Sequence, residues 1–178
     1  MKPLPCLLVA LALAGCAHAP APPSEPSAQV AAGLALREPR PGLYAAGQPA
    51  AGDWQAIRAR GVTTVVNLRT PGEMDGRDEA AEVRAAGMRY VSIPVAGAEG
   101  ISEANARRLH DALQAAGGPV LVHCASGNRV GGLLAVMRGL VDGVPAAQAL
   151  ETGRRAGMAS TEARARQLLE AGGPEAGE

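Results

Sequence analysis

The chain has very few aromatic residues and no phenylalanine. Its 178 residues include one tryptophan, Trp54, and two tyrosines, Tyr44 and Tyr90. Platforms on which bases or sugars would stack are therefore nearly absent. Lys and Arg together number 17, as do Asp and Glu, so the chain has no excess positive charge to attract a phosphate backbone. These two deficits argue against a nucleic-acid partner.

Histidine is scarce as well, and the pattern of metal ligands is missing. The three histidines are His18, His110 and His123, and none belongs to a paired His or Cys motif with metal-ligand spacing. We therefore predict no metal and no cofactor. His110 lies within a helical pattern and is expected to be a surface residue.

The chain also lacks a long hydrophobic run. The apolar stretch 4–14 follows Lys2 and is shorter than the roughly 18 apolar residues that a membrane-spanning helix needs. This pattern predicts a signal peptide over residues 1–15. The stretch ends in Leu-Ala-Gly-Cys, which resembles the lipobox of bacterial lipoproteins and implies cleavage before Cys16 and acylation of its thiol. An acylated residue would tether the chain to a membrane.

The N-terminal pattern also predicts a location and a domain organisation. Ala17 follows the cysteine where an acidic residue is the usual inner-membrane retention signal, so we expect the periplasmic side of the bacterial outer membrane. An ordinary signal peptide cut after Ala17 or Ala19 is the alternative. Residues 16–36 are rich in Pro and Ala and predict an extended linker. One domain over 37–171 and a disordered tail over 172–178 complete the prediction.

Cysteine usage singles out one thiol. Cys6 would be lost with the signal peptide and Cys16 acylated, which leaves Cys124 unpaired in a compartment that favours disulfides. Such a thiol is a candidate nucleophile. The alternative is a buried cysteine that acts only as a small hydrophobe.

The six residues Cys124-Ala-Ser-Gly-Asn-Arg129 lie between the apolar run 119–123 and the apolar stretch 130–134. This layout predicts a turn from a strand into a helix. Backbone N–H groups at a helix start are unpaired, and the helix dipole is positive there, so an oxyanion such as phosphate or sulfate can bind without a metal. The same field stabilises a thiolate.

Strand-like and helix-like patterns alternate along the rest of the domain. The predicted strands cover 43–45, 62–68, 88–95 and 120–123, and the predicted helices cover 54–60, 78–86, 102–116, 130–141, 145–156 and 161–171. This order predicts an α/β fold with a mainly parallel central sheet flanked by helices on both faces. The ligand crevice of such a sheet lies beyond the carboxyl ends of its strands, where the turn at Cys124 emerges.

Four segments resemble a known family: LYAAGQP at 43–49, GVTTVVNLR at 61–69, IPV at 93–95 and HCASGNR at 123–129. They are similar to the dual-specificity-like tyrosine phosphatases and, among these, to the phosphatase-like domain of beta-lactamase-hydrolase-like bacterial proteins. The resemblance implies the three-layer cysteine phosphatase fold and a phosphorylated substrate or another small oxyanion as partner. It also implies that Cys124 attacks phosphorus, Arg129 grips two phosphoryl oxygens and His123 tunes the thiolate. The phosphate-binding backbone amides would be those of Ala125, Ser126, Gly127, Asn128 and Arg129.

The sequence departs from the family pattern in three ways. Four residues separate the cysteine from the arginine where the phosphatase loop has five, and rhodanese-type sulfurtransferases have the shorter loop. Val130 replaces the hydroxyl residue that eases departure of the thiolate from phosphorus. The general-acid aspartate is missing, which leaves Glu99 as first candidate and Asp75 as second, each with a solvated loop carboxylate as the alternative. Arg69 is expected either to meet substrate charge or to pair with Glu73.

Three functions are compatible with these observations. The leading hypothesis is a cysteine-dependent phosphatase-like hydrolase that forms a cysteinyl-phosphate intermediate. The second is a sulfurtransferase that carries a persulfide on Cys124. The third is a module that binds an oxyanion or phosphopeptide without turnover.

Overall fold

The structure is a computed structural model that describes residues 34–172. The predicted signal peptide, Cys16 and most of the predicted linker lie outside the described residues. The strands are β1 (Arg37–Arg40), β2 (Leu43–Ala46), β3 (Thr64–Asn67), β4 (Arg89–Ser92) and β5 (Val120–His123). The α-helices are α1 (Trp54–Ala59), α2 (Glu79–Ala85), α3 (Glu103–Gln114), α4 (Asn128–Val136), α5 (Ala146–Arg155) and α6 (Glu162–Gly172).

The strands form one sheet in the order β1-β2-β5-β3-β4. Strands β2, β5, β3 and β4 are parallel, and β1 pairs antiparallel with the edge of β2. The register pairs His123 with Ala46 on one side and with Asn67 on the other. The carboxyl ends of three parallel strands therefore meet where β5 leads into the Cys124 turn. The predicted α/β class with a mainly parallel sheet is confirmed.

Side-chain alternation along β5 divides the core into two layers. Val120, Val122 and Cys124 belong to the larger apolar cluster, which packs against α3, α4, α5 and α6. Leu121 belongs to the smaller cluster on the opposite face, with Trp54 and Val83 of α2. All four residues of β5 are buried, as a central parallel strand covered on both faces requires.

The sequence prediction misses β1, whose Arg-Glu-Pro-Arg sequence is polar and contains a proline. Both features are typical of edge strands, which have one partner and one solvated side. The predicted strands 62–68 and 88–95 extend beyond β3 and β4. Some flanking residues still bond to the neighbouring strands, as the Leu68 N–H does to the His123 carbonyl and the Ile93 N–H to the Asn67 carbonyl, both at 2.9 Å.

The helix predicted over 130–141 begins earlier and changes character near its end. Gly127, with φ +90°, is the N-cap of α4, and the left-handed conformation open to glycine starts the helix at Asn128. After Val136 the chain continues as a π-helical turn over Met137–Val141. Within residues 34–172, no helix has both the length and the apolarity that crossing a bilayer demands.

Candidate functional site

The loop Cys124–Arg129 joins β5 to α4 at the carboxyl edge of the sheet. Cys124 is 1 % exposed, and its side chain packs on one side against the larger core. Its Sγ accepts a hydrogen bond from the Gly127 backbone N–H at 3.1 Å. The sulfur therefore lies on the buried side of the loop, near the N-terminus of α4, where the helix dipole is positive.

Both flanks of this loop are anchored by hydrogen bonds. On the β2 side, the Gln48 backbone N–H donates to the Ala125 carbonyl at 3.2 Å. On the other side, Asn128 Oδ1 accepts from the backbone N–H groups of Ala159 and Thr161, at 2.8 and 3.2 Å. The Asn128 side-chain amide also donates to the Ser160 hydroxyl at 2.7 Å. These contacts fix the loop before any ligand binds.

Four backbone N–H groups of the loop donate to no other group in the part of the chain that the structure describes. They are those of Ala125, Ser126, Asn128 and Arg129. Unpaired amides gathered at one turn form a site for an anion, because each needs an acceptor that the protein does not supply. The amides assigned to the anion from the sequence are thus unpaired, except that of Gly127, which donates to the thiol.

Arg129 is held by a carboxylate that lies 56 residues earlier in the chain. Its two terminal nitrogens donate to the two oxygens of Glu73, at 2.8 Å to Oε2 and 2.6 Å to Oε1. The first of these nitrogens also donates to the Val95 carbonyl at 2.8 Å. A guanidinium has five N–H donors, so these contacts use three of them. The two that remain, on Nε and on the second terminal nitrogen, share the edge that grips an oxyanion in bidentate fashion.

The ion pair changes the pKa of both partners. The hydrogen bond from Arg129 lowers the pKa of Glu73 from 4.5 to about 2, against a smaller effect of burial. The hydrogen bond to Glu73 raises the pKa of Arg129, and the charge of the nearby Cys124 sulfur raises it further. Glu73 is therefore ionised at neutral pH and is not a proton donor there.

His123 lies on the opposite face of the sheet from the thiol that follows it. Its Nε2 is 2.9 Å from Glu79 Oε1, and both side chains are at most 1 % exposed. The ring meets the Trp54 indole edge-on, with centroids 6.2 Å apart. Its Nδ1 is buried and has no hydrogen-bond partner in the described part of the chain. Among the described residues, no hydrogen bond joins the His123 ring to the Cys124 sulfur.

The structure does not bring the two candidate acids to the loop. Glu99 is exposed on the turn over residues 97–100, and Asp75 is exposed at φ +49°. Neither forms a hydrogen bond or ion pair with Cys124 or Arg129 among the described residues. Arg69 pairs with Glu73, which is one of the two outcomes expected for it. Its guanidinium donates to Gln48 Oε1 and to the Glu73 carbonyl, and its Nε is 3.9 Å from Glu73 Oε1.

Sequence reasoning missed three polar residues that support the loop. The sequence offers Glu73 only as a partner for Arg69, and it indicates no role for Gln48 or Glu79. One local signal was available for Glu73, since Thr-Pro-Gly-Glu at 70–73 has the residues of a capped helical turn. In the structure, Glu73 Oε2 accepts from the Thr70 backbone N–H at 2.8 Å, which aims the carboxylate.

No group of three or more His, Cys, Asp or Glu side chains suited to a metal ion occurs within residues 34–172.

Comparison with known proteins places these features in a family. The family described as "Beta-lactamase hydrolase-like protein, phosphatase-like domain" matches residues 35–141. A beta-lactamase hydrolase-like protein of Agrobacterium fabrum is 38 % identical over 91 residues, which are 49 % of this chain and 21 % of that protein. The chain thus spans about a fifth of the length of that relative.

Solved structures show the same fold. A DUF442 protein from Shewanella putrefaciens is 27 % identical, with 80 % of this chain and 96 % of that chain covered and a TM-score of 0.63. P. aeruginosa TpbA, solved in complex with phosphotyrosine, is 26 % identical, with 76 % and 87 % covered and a TM-score of 0.58. The fold, the loop and the family match over more than half of the chain agree, and the chain belongs to the family of the phosphatase-like domain of beta-lactamase hydrolase-like proteins.

Proposed function

We propose that this protein is a cysteine-dependent phosphatase that acts on aryl phosphates. One observation carries the proposal: Glu73 and Val95 engage three of the five N–H groups of Arg129, and the guanidinium lies close enough to the Cys124 sulfur for that sulfur to raise the pKa of Arg129. The unpaired loop amides add donors for further phosphoryl oxygens. The phosphotyrosine bound to the TpbA relative supports an aryl phosphate as the substrate class.

The chemistry proceeds in two displacements. The Cys124 thiolate attacks phosphorus, a sulfur–phosphorus bond forms, and the bond from phosphorus to the leaving oxygen breaks with its electron pair on that oxygen. Water then attacks the cysteinyl-phosphate, the sulfur–phosphorus bond breaks, and inorganic phosphate and the thiolate are released. Arg129 and the loop amides stabilise the charge that develops on the equatorial oxygens in both steps.

Leaving-group chemistry explains the preference for aryl esters. A phenolate departs readily without protonation, whereas an alkoxide requires a general acid, whose contribution is typically 10²–10⁴-fold. Glu73 is ionised and engaged with Arg129, so it does not fill that role. Glu99 contacts neither Cys124 nor Arg129 in the structure, but it lies on the exposed turn that follows Val95, whose carbonyl accepts from Arg129. We therefore propose that Glu99 donates the proton after this turn moves toward the bound substrate. Glu99→Gln should lower the rate on an alkyl phosphate by at least about tenfold and leave p-nitrophenyl phosphate hydrolysis nearly unchanged. Equal effects on both substrates would remove Glu99 from this role.

Hydrolysis of p-nitrophenyl phosphate by the purified full chain tests the function. We expect steady phosphate release that Cys124→Ser abolishes and Arg129→Lys reduces severely, because an ammonium cannot form the bidentate contact. Thr152→Val is the control, since it removes a buried hydroxyl that donates to the Gln148 carbonyl within α5 and, in the described part of the chain, forms no hydrogen bond with a residue of the loop. Failure of the unaltered protein to release phosphate, or full activity of Cys124→Ser, would contradict the proposal.

A sulfurtransferase is the second candidate, favoured by the four-residue spacing and by the finding that no carboxyl group within residues 34–172 forms a hydrogen bond or ion pair with the thiol. In that reaction the thiolate takes the outer sulfur of thiosulfate and sulfite leaves, after which cyanide takes the sulfur as thiocyanate and restores the thiolate. Thiocyanate formation together with a Cys124 persulfide, without phosphate release, would select this function. Phosphate binding without either turnover would select the binding module.

We further propose that Cys16 is acylated and tethers the domain to the periplasmic face of the outer membrane. The Leu-Ala-Gly-Cys motif after an apolar stretch supports this. Incorporation of labelled palmitate that Cys16→Ser prevents would support the tether, and a soluble, unlabelled protein would contradict it.

A further inference from the structure

Hydrogen bonds link polar residues in a path along the carboxyl edge of the sheet, from the histidine before the nucleophile to the arginine that ends the loop; every link is between side chains except one, which runs through the Glu73 backbone carbonyl. The path consists of His123, Glu79, Gln48, Arg69, Glu73 and Arg129. We propose that Gln48 is a positioning residue that couples the two ends of the Cys124–Arg129 loop through this path. This inference takes one element from the proposed function, namely that phosphate is the anion that the loop binds.

Gln48 lies where four contacts meet. Its side-chain nitrogen donates to Glu79 Oε2 and to the Pro49 carbonyl, and its Oε1 accepts from Arg69 at 2.7 Å. Its backbone N–H donates to the Ala125 carbonyl of the loop at 3.2 Å. A carboxylate only accepts and a guanidinium only donates, so the two neighbours fix which end of the amide faces each of them. An amide is the neutral group that satisfies both.

One arm of the path leads from Gln48 to His123. Glu79, the first residue of α2, is almost fully buried and uses one oxygen for Gln48 and the other for His123. Burial raises the pKa of Glu79, but the hydrogen bonds from His123 and Gln48 together with nearby positive charge outweigh it, and the net direction is downward. A buried carboxylate that loses a donor bears a large penalty. Removal of the Gln48 amide therefore disturbs the segment that carries the nucleophile.

The other arm leads from Gln48 to Arg129. Arg69 donates to Gln48 with one terminal nitrogen and to the Glu73 carbonyl with the other, and its Nε is 3.9 Å from Glu73 Oε1. Glu73 in turn holds two nitrogens of Arg129. Without the Gln48 acceptor, the Arg69 guanidinium is free to move, and the turn that carries Glu73 loses the hydrogen bond from Arg69 to the Glu73 carbonyl. Arg129 then samples orientations in which its bidentate edge misses the anion.

A double-variant experiment tests the coupling in the full chain. The variants are Gln48→Met, close to glutamine in shape, Glu73→Gln, and both together. Alkylation of Cys124 by iodoacetamide, followed by peptide mass spectrometry with increasing inorganic phosphate, gives the phosphate dissociation constant without requiring turnover. We expect Gln48→Met to weaken phosphate binding about tenfold in the unaltered background and less than about twofold in Glu73→Gln, because contacts in one network are not additive. The same non-additivity should appear in kcat for p-nitrophenyl phosphate.

The control and the contrary results are specific. Thr152→Val removes another buried hydrogen bond and should leave phosphate binding unchanged in both backgrounds. Unchanged phosphate binding in Gln48→Met, or losses that simply multiply in the double variant, would overturn the proposal even if stability falls. Coupled phosphate binding without any turnover would retain the coupling and refute the phosphatase function. Turnover combined with losses that simply multiply would retain the phosphatase function and refute the coupling. If phosphate does not protect Cys124 from alkylation in the unaltered protein, both the coupling and the phosphatase function are refuted.

Discussion

Replacement of Glu73 by glutamine tests how far the carboxylate controls the loop arginine. Glutamine retains the shape but offers one acceptor oxygen and one donor nitrogen. The nitrogen faces an Arg129 N–H that now bonds to Glu73 at 2.6–2.8 Å. One hydrogen bond is therefore lost and the other no longer joins two charges.

The magnitude follows from the exposure of the pair. Hydrogen bonds to charged groups contribute about 1.5–3 kcal/mol, and the lower end applies because the Glu73 side chain is 33 % exposed and partly screened by water. A loss of about 1.5 kcal/mol in the orientation of Arg129 lowers the rate about tenfold. Removal of a negative charge also favours anion binding, by about 1 kcal/mol or less at a watery site. A misdirected Arg129 also holds the bound phosphoryl group less tightly, and the removed negative charge offsets part of that loss. We therefore expect kcat for p-nitrophenyl phosphate to fall about tenfold, and KM to rise by less than about tenfold.

A matched control separates orientation from a general loss of ion pairs. Asp142 pairs with Arg138 beyond the C-terminal end of α4, at the opposite end of that helix from the loop. Asp142→Asn should leave kcat and KM unchanged. An undiminished kcat in Glu73→Gln, or an equal fall in both variants, would refute the role assigned to Glu73.

Three further predictions concern stability. The pKa of Glu73 is about 2, below the ordinary 4.5, so the ionised carboxylate contributes its full stabilisation above about pH 4.5 and loses it as pH falls through about 2. The free energies of unfolding of the protein and of Glu73→Gln, measured in urea, should therefore converge at low pH. A difference that stays constant with pH would contradict this. Gly131→Ala should destabilise by about 1–3 kcal/mol, since its Cβ would lie 2.5 Å from the Gly153 carbonyl oxygen, whereas Gly52→Ala, with open space around it, should be nearly neutral in thermal unfolding. Asn128→Leu should cost about 2–4 kcal/mol through lost hydrogen bonds, and an unchanged Tm would show that the anchoring segment contributes nothing.

Local patterns were sufficient to predict the part of the site that is contiguous in sequence. An apolar run followed by a glycine-containing turn and a second apolar run defines β5, the loop and α4, and the structure has all three. Strands separated by helices were sufficient for the parallel sheet, because such connections require crossovers. The position of the loop at the carboxyl edge follows from that topology.

The supporting residues could not be predicted because they depend on how distant segments meet. Glu73 is 56 residues from Arg129, and Glu79 is 44 residues from His123. Only the pairing of β3 with β5 and the packing of α2 bring these carboxylates to the loop. On the sequence they are ordinary charged residues in a turn and at a helix start. Their contacts with Arg129 and His123 are tertiary, and the capped turn at 70–73 encodes only the local direction of the Glu73 carboxylate.

The most direct test of the account is to find where the phosphoryl group goes during turnover. Val130 offers no hydroxyl to assist the second displacement, so the covalent intermediate should accumulate. Rapid mixing with p-nitrophenyl phosphate should give a burst of nitrophenol close to one per protein chain. Acid quenching should leave a phosphoryl adduct on the peptide that contains Cys124, which Cys124→Ser lacks. Turnover without a burst or adduct, or an adduct on another residue, would contradict the claim that the Cys124 thiolate is the nucleophile.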